Sequence, residues 1–464
     1  MQPSVRKKSW MNRFIDTIEY WGNKLPHPFI LFGMLVVITL IGSWILSQAG
    51  CSITYMAASR TPGEPEKEVT IAVTNLLSGE NLRYLITKYP DIFIGYPPMK
   101  LVLVMMAATA FIEKTGFFGT FMKKYLLRAP RSLVTFAVVF VGVNSNLMSD
   151  AGTLFALTMG GIIFAALGRN PLIGVILGWA SSSGGFTANL FLAGTDALLA
   201  GITEGVVKEM GVAVDINPAM NYFFMASATF FLSVTLTLFT EKVVCRMVGD
   251  GDGKVNMALL EEHKLTADQE KGLRWAFYGF LFFLAVMAAL TVPSWAILRN
   301  AKGGFLPKSP FFAGIITLIA FFFVSTGLPY GVATGEIKKW KDIPRLVSAG
   351  LREAIPLLTT TMMAAVFIDM MNKSNIFKMV AVAGAEALRG ANIGLLPLCL
   401  MIIVVTTIIN PFMTSGSSKW LIIAPMIVPM FTMLNVHPAY AQLAYRIGDS
   451  ATNICSPLQE LLPC

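Results

Sequence analysis

Apolar residues come in long runs along this chain, separated by short polar or charged interruptions. The runs lie near 28–48, 97–112, 133–148, 153–167, 171–201, 219–240, 275–298, 309–327, 355–371, 394–409 and 420–436, and a last one begins at 438. A helix of roughly 20 apolar residues crosses the hydrocarbon core of a bilayer, so several runs predict spanning helices. Those at 133–148, 153–167 and 394–409 are short, as the legs of re-entrant hairpins would be. The pattern predicts an all-α polytopic membrane protein embedded in the lipid bilayer.

One interrupted pattern occurs twice. The first copy opens at Asn144 with Ser145, Asn146, Ser149 and Gly152, runs apolar to Pro171, and continues to Gly185 and Asn189. The second opens at Asn410 with Thr414, Ser415, Gly416, Ser417 and Ser418, runs apolar to Pro438, and continues to Ser450 and Asn453. Asn to Pro is 27 residues in one copy and 28 in the other; Pro to the later Asn is 18 against 15. Paired, interrupted apolar segments in two halves of a membrane chain point to a transporter binding site. The competing explanation is chance similarity between small-residue faces where membrane helices touch.

Basic residues cluster at the N-terminus, at 123–131, at 241–274 and at 338–345. The positive-inside rule places all four in the cytoplasm. The stretches 50–95 and 202–218 suit the outer side, while 299–308, with Arg299, Lys302 and Lys308, is the weak point of this assignment. With these sides fixed, a hairpin at 133–168 enters from the cytoplasm and one at 394–436 enters from outside. The two repeats are then inverted, an arrangement that supports alternating access. The organisation expected is a cytoplasmic amphipathic segment 1–26, a first membrane repeat 27–240, a cytoplasmic loop 241–274 and a second repeat 275–464.

Composition removes other classes. The chain is 55% hydrophobic and only 14% charged, against about 25% charge in soluble proteins. Its net charge of +9 fits cytoplasmic loops better than a nucleic-acid partner. Five cysteines form no CxxC and three histidines no HExxH, so neither a disulfide framework nor a zinc site is suggested.

A broken helix leaves N–H and C=O groups in the membrane, tolerated only where protein or a cavity satisfies them. Hydroxyls and carbonyls at such breaks suit a hard cation such as Na⁺, by extension from other oxygen-liganded cations. Helix N-termini there suit an anionic substrate group. Charges within the apolar runs are few: Asp150, Asp196, Asp369, Lys419, Arg446 and Asp449. Such residues are functional candidates by default. Each has a structural alternative: an ion pair for Arg446 and Asp449, which share a helix face, a helix end for Asp196, a helix cap for Asp150. Trp420 is either an interface anchor or a surface on which substrate stacks.

These residues resemble the AbgT family of p-aminobenzoyl-glutamate transporters. The resemblance is carried by Trp21 to Pro28, by Gly184 to Leu190 followed by Thr195 and Asp196, and by Ser415 to Ser417, Trp420, Pro425, Pro429, Tyr445 to Ser450, Thr452 and Asn453. It implies a homodimer in the bacterial inner membrane, with the N-terminus cytoplasmic and nine spanning helices and two opposed hairpins in each subunit. It implies a substrate path at Asn189, Asp196, Ser417, Trp420, Pro438, Arg446 and Pro457. It implies Na⁺ at Asn410 and Asp449, with Asn453 beside them, and Asp449 and Asp196 as the carboxylates coupled to a proton or cation. The substrate would be an aryl amine bearing a carboxylate, or a sulfonamide antimetabolite; no organic cofactor is implied.

Three features depart from the family pattern. Lys419 stands where a small or apolar residue is expected, and is read either as a partner of Asp449 that displaces the cation or as a contact for a substrate anion. Asp369 and Lys373, four apart, are expected to pair. After Pro457 the sequence ends at Cys464, earlier than the resemblance implies, which reads as a truncation. Other readings are a dicarboxylate or short-chain fatty acid carrier, an inactive remnant, and an intramembrane aspartyl hydrolase. The hydrolase needs two facing carboxylates of separated pKa, and Arg446 before Asp449 argues against it.

Overall fold

The computed structural model describes residues 20, 24, 26–57, 67–210, 214–305, 309–390, 394–413 and 415–454. The expected 1–26 segment lies almost wholly outside them, as does Pro457. In chain order the main elements are α1 (Pro28–Gln48), β1 (Ser52–Ala57), β2 (Lys67–Ala72), α2 (Gly79–Gly95), α3 (Pro97–Lys114), α4 (Phe117–Arg128), α5 (Val134–Asn144), α6 (Ser149–Ala166) and α7 (Pro171–Gly184). They continue with α8 (Gly194–Glu209), α9 (Tyr222–Val248), α10 (Ala267–Thr291), α11 (Ile315–Thr334), α12 (Asp342–Glu353) and α13 (Ile355–Lys373). The last are α14 (Ile376–Gly390), α15 (Leu395–Ile409), α16 (Gly416–Met433) and α17 (Pro438–Asn453).

Among the described residues seven helices are long and apolar enough to cross a membrane, or eight if the bent pair α2–α3 counts as one. The nine implied by resemblance are not all visible by this measure, for reasons written in the sequence. The run 171–201, expected to cross as one helix, is cut after 14 residues by the non-helical stretch 185–193. Helices α16 and α17 carry Lys419, Arg446 and Asp449. The only strands among the described residues, β1 and β2, form an antiparallel ribbon with Ser52 opposite Ala72 and Ala57 opposite Lys67.

The chain divides into two compact units. The first comprises Met1–Met99, Ile202–Val214 and Pro356–Cys464. Within it the ribbon is tied to the corner between α13 and α14: Thr74 N donates to Ser374 O (3.0 Å) and Asn375 Nδ2 to Ala72 O (3.0 Å). Asp369 and Lys373 are linked through Tyr84, whose hydroxyl donates to Asp369 Oδ1 (3.3 Å) while Lys373 Nζ lies 3.9 Å from its ring centre. The aromatic ring stands in for a direct pair because it offers an acidic hydroxyl to one and a π face to the other. Helices α15 and α16 both pack on α17.

The second unit comprises Lys100–Gly201 and Asp215–Ile355. Here α5 and α6 both pack on α7, with α6 the closer. Glycines allow this: a Cβ on Gly174 would lie 2.2 Å from Gly160 O, and one on Gly178 would lie 2.2 Å from Ala156 O. Close backbone approach of small residues is the usual cement between membrane helices. The long pair α10–α11 meets in the same way at Gly279 and Ser325.

Local chemistry makes the two repeats alike. Helix α6 ends in a left-handed Gly168, with Arg169 N donating to Phe164 O (2.8 Å). Helix α16 ends in a left-handed Asn435, with Val436 N donating to Phe431 O (2.9 Å). Both are Schellman turns, which satisfy the last carbonyls of a helix. Each is followed by an N-cap side chain and a proline at the first helical position: Asn170–Pro171 before α7, His437–Pro438 before α17. The expected breaks at 144–152 and 410–418 are short 3₁₀ turns, Ser145–Met148 and Asn410–Phe412.

The turn between α6 and α7 is clasped by the C-terminal end of α9, by Asp250 just beyond it and by Thr135 of α5. Arg169 bonds Asp250 Oδ1 (2.8 Å), Glu241 Oε1 (2.8 Å), Thr135 Oγ1 (2.7 Å) and Cys245 Sγ (3.2 Å), and lies 4.5 Å from the ring centre of Phe164. Burial lowers the guanidinium pKa, but the bonds to Asp250 and Glu241 outweigh it and raise the net value. Glu241, Cys245 and Asp250 converge closely enough to suggest a metal cluster, but Arg169 already supplies the cation.

Placing Val at Gly174 forces α6 and α7 apart, so Gly174→Val is expected to abolish the monodisperse peak of detergent-extracted protein in gel filtration. Gly33→Ala, where a Cβ meets nothing within 4 Å, is expected to leave yield and elution unchanged.

Candidate functional site

Among the described residues of the first unit, the second break is the most charged buried region. Asn410 begins the 3₁₀ turn after α15, and Ser415 caps α16 by accepting from Ser418 N (3.3 Å). Lys419, one turn into α16, and Asp449, on α17, are 0% and 1% exposed. The Lys419 ammonium is ion-paired with Asp449 Oδ1 and donates to Asn410 Oδ1. The other end of the same carboxamide is also committed. Asn410 Nδ2 donates to Asp449 O (2.6 Å), Thr452 Oγ1 (3.0 Å) and Asn453 Oδ1 (2.9 Å). Isolated buried charges are costly, and this network offsets that cost by pairing each with the other and with an amide. Gly448 lets α17 approach α15, since a Cβ there would lie 2.5 Å from Ile403 O.

Of the residues expected to line a substrate path, Trp420, Arg446, Pro438 and Ser417 lie on α16 and α17, as does Lys419. Trp420 is fully buried, its ring centre 4.7 Å from that of Tyr445 and its Nε1 donating to Thr203 Oγ1 (3.1 Å). Thr203 in turn donates to Gln442 Oε1 (2.7 Å). The Tyr445 hydroxyl donates to Gly416 O, the first carbonyl of α16. Arg446 is buried one turn before Asp449, and Pro438 is buried at the start of α17. Ser417 is half-buried.

The first break, in the second unit, is held by hydroxyl and amide side chains. Ser145 Oγ donates to Gly142 O (2.7 Å) and to Ser182 Oγ (3.1 Å), and Thr153 meets the same Ser182 hydroxyl (2.9 Å). Asn146 Nδ2 donates to Ser182 O (3.1 Å), in the last turn of α7, and to Gly185 O (3.1 Å), just past its end. Asn144 Oδ1 accepts from Leu190 N (3.0 Å), and Tyr222 OH donates to Leu190 O (3.0 Å). Between them these side chains satisfy the backbone where α7 stops. Asp196 is buried, and its Oδ2 accepts from Ala193 N (2.7 Å) at the start of α8. It lies in the first turn of α8 but is fully buried, so it is not the solvated helix end weighed as the alternative. Asn189 differs: it is fully buried, and neither atom of its carboxamide has a partner among the described residues. The Asp150 side chain lies outside the described ones.

Thr203, Gln442 and Tyr222 escaped sequence reading. Each has a partner distant in sequence. An apolar groove of about 390 Å³ lies between α10 and α11, lined by residues such as Trp275, Phe282, Phe321 and Pro329. Its lining is mostly apolar and carries no charged side chain.

The Na⁺ implied at Asn410 and Asp449 does not fit the side chains present. Asn410 Oδ1 and Asp449 Oδ1, the oxygens a hard cation would need, both hold the Lys419 ammonium.

Apolar spanning helices, two breaks with matching caps and buried polar clusters define a polytopic membrane transporter. The chain matches the model of the AbgT putative transporter family over residues 13–464. It is 32% identical over 460 residues to the p-aminobenzoyl-glutamate transport protein of Escherichia coli K12, covering 99% of this chain and 88% of that protein. Its structure resembles MtrF of Neisseria gonorrhoeae, described with a class of antimetabolite efflux pumps (TM-score 0.89, 32% identity, 97% of this chain and 89% of that one). It also resembles the YdaH transporter of Alcanivorax borkumensis, noted for an unusual topology (TM-score 0.84, 29% identity, 94% and 89%). The chain belongs to the AbgT transporter family.

Removing either charge of the Lys419–Asp449 pair strands the other in the interior. Lys419→Met and Asp449→Asn are each expected to destabilise by about 3–5 kcal/mol, read as loss of thermal stability in detergent. The double variant is expected to recover most of the loss, because coupled sites are not additive.

Proposed function

We propose that this chain is a secondary transporter for p-aminobenzoyl-glutamate, for sulfonamide-type antimetabolites, or for both. It works by alternating access of two inverted repeats, coupled to an ion gradient, as a homodimer in the bacterial inner membrane with its N-terminus cytoplasmic. It carries its substrate without catalysing a reaction on it. Kinship with the Escherichia coli and Neisseria gonorrhoeae proteins supports the substrate class. An aryl amine is common to both kinds of substrate, so one set of contacts serves either.

The observation that carries a binding role for the breaks is Asn189. Buried polar groups are almost always hydrogen-bonded, and an exception asks for a ligand or a water. The Asn189 carboxamide both donates and accepts, which matches an amide or aryl amine. Arg446 is assigned to a substrate carboxylate, a geometry that guanidinium forks favour. Trp420 shapes the aromatic wall together with Tyr445. Ser417 and Pro438 are assigned to the substrate path within the first unit, and Asp196 within the second. No step in this scheme uses Na⁺ at Asn410 and Asp449.

Cells making the chain are expected to accumulate several-fold less of a labelled sulfonamide than empty cells, and ionophores to erase the difference. Faster entry of labelled p-aminobenzoyl-glutamate would instead assign uptake. No effect on either, with transport of a dicarboxylate, would move the substrate to another organic anion.

Asn189→Ala separates binding from folding. Since the amide has no partner to lose, its melting temperature is expected to stay level or rise, while transport falls about five- to tenfold, the worth of one hydrogen bond. A marked fall in melting temperature would make Asn189 a structural residue.

A further inference from the structure

The second break already contains a cation, and it is covalently part of the chain. Three observations converge on Lys419. Its side chain is fully buried, so its charge is not shared with water. Its ammonium contacts two oxygens, Asp449 Oδ1 and Asn410 Oδ1, which come from different elements. The rest of the Asn410 carboxamide is spent on Asp449 O, Thr452 and Asn453, so the oxygen facing Lys419 is fixed in direction. An oxygen cage of carboxylate and amide around a single positive charge is what a monovalent cation would ask for.

From this arrangement we infer that Lys419 is a tethered cation: it takes the position a free Na⁺ would hold between Asn410 and Asp449, and it closes that position to Na⁺. Two like charges cannot share one carboxylate in a buried cage without a large Coulomb penalty. A tethered ammonium also loses no translational freedom on entering, which a free ion must. Na⁺ therefore competes from a disadvantage at this site, whatever substrate the protein carries. The first break has no lysine at the matching place: counting from Asn144 as Lys419 is counted from Asn410, the residue is Thr153, whose hydroxyl meets Ser182 (2.9 Å).

Lys419 is thus a specificity residue, deciding which ion the second break accepts. Shortening it to a neutral side chain leaves the Asp449 carboxylate and the Asn410 carbonyl facing an unfilled position. That set of ligands suits Na⁺ by the same oxygen preference that governs other hard cations.

The test uses the purified full-length chain in detergent, melted in equal concentrations of sodium chloride or choline chloride. The wild-type melting temperature is expected to be the same in both. Lys419→Met is expected to melt lower than wild type in choline and to rise by about 2–4 °C in sodium, as a ligand that binds only the folded state requires. Lys419→Met with Asp449→Asn is expected to lose that sodium response. A sodium-specific rise in the wild type, or a folded Lys419→Met indifferent to sodium, would overturn the inference. Equilibrium binding of radioactive Na⁺ to the wild type decides independently of any variant's folding. Background binding supports the tethered cation; saturable binding abolished by Asp449→Asn refutes it. Neither readout needs transport, so failure here is separable from failure of the proposed function.

Discussion

The contact on which the second repeat depends is the buried bond between Lys419 and Asp449, braced by Asn410. An ion pair inside a membrane protein is a poor source of net stability, because each charge gives up its hydration. Its value is in specificity. Only one arrangement of α15, α16 and α17 brings Lys419, Asp449 and Asn410 together, and any slip of one helix leaves a naked charge. The bond therefore fixes the register of three helices around a break where backbone hydrogen bonding alone would not. Gly448 and the Schellman turn at Asn435 serve the same end by letting the helices approach and reverse without strain.

The two breaks share a plan and differ in their electrostatics. Both start with an asparagine that ends a helix, and both lead through a left-handed turn and a proline-started helix. In the first, hydroxyls and amides satisfy the backbone, and one carboxamide, Asn189, is left over. In the second, Asn410 and Asn453 bond each other and the positive charge is internal. A break with a spare amide is suited to hold a ligand that comes and goes. A charged break with its cation built in is suited to hold a fixed shape. The clasp at Arg169 repeats the second solution on a half-exposed surface, where a guanidinium rather than an ion neutralises Glu241 and Asp250.

Much of this was legible in the sequence, and the reasons are specific. The apolar runs and the Asn, Gly and Pro punctuation located the breaks, because lipid forbids irregular backbone without polar help. The rarity of charge in apolar runs singled out Lys419, Arg446, Asp449 and Asp196. What the sequence left open was which charge meets which. Lys419 and Asp449 are 30 positions apart, and no local periodicity pairs them. The same holds for Thr203 with Trp420 and for Tyr84, which intervenes between two residues whose spacing alone suggested a direct bond. The β ribbon was hidden in 50–95, a stretch read only as suiting the outer side. The interruption of 171–201 was hidden because 185–193 is itself largely apolar or small, so that hydropathy runs through a break that hydrogen bonding reveals.

The most direct measurement is a cryo-electron microscopy map of the protein prepared in sodium buffer, at a resolution that separates side chains from ions. The account predicts continuous density from the Lys419 side chain to Asp449 and Asn410, with no separate peak between them. A discrete ion peak in contact with Asp449 and Asn410, with Lys419 turned away, would contradict it.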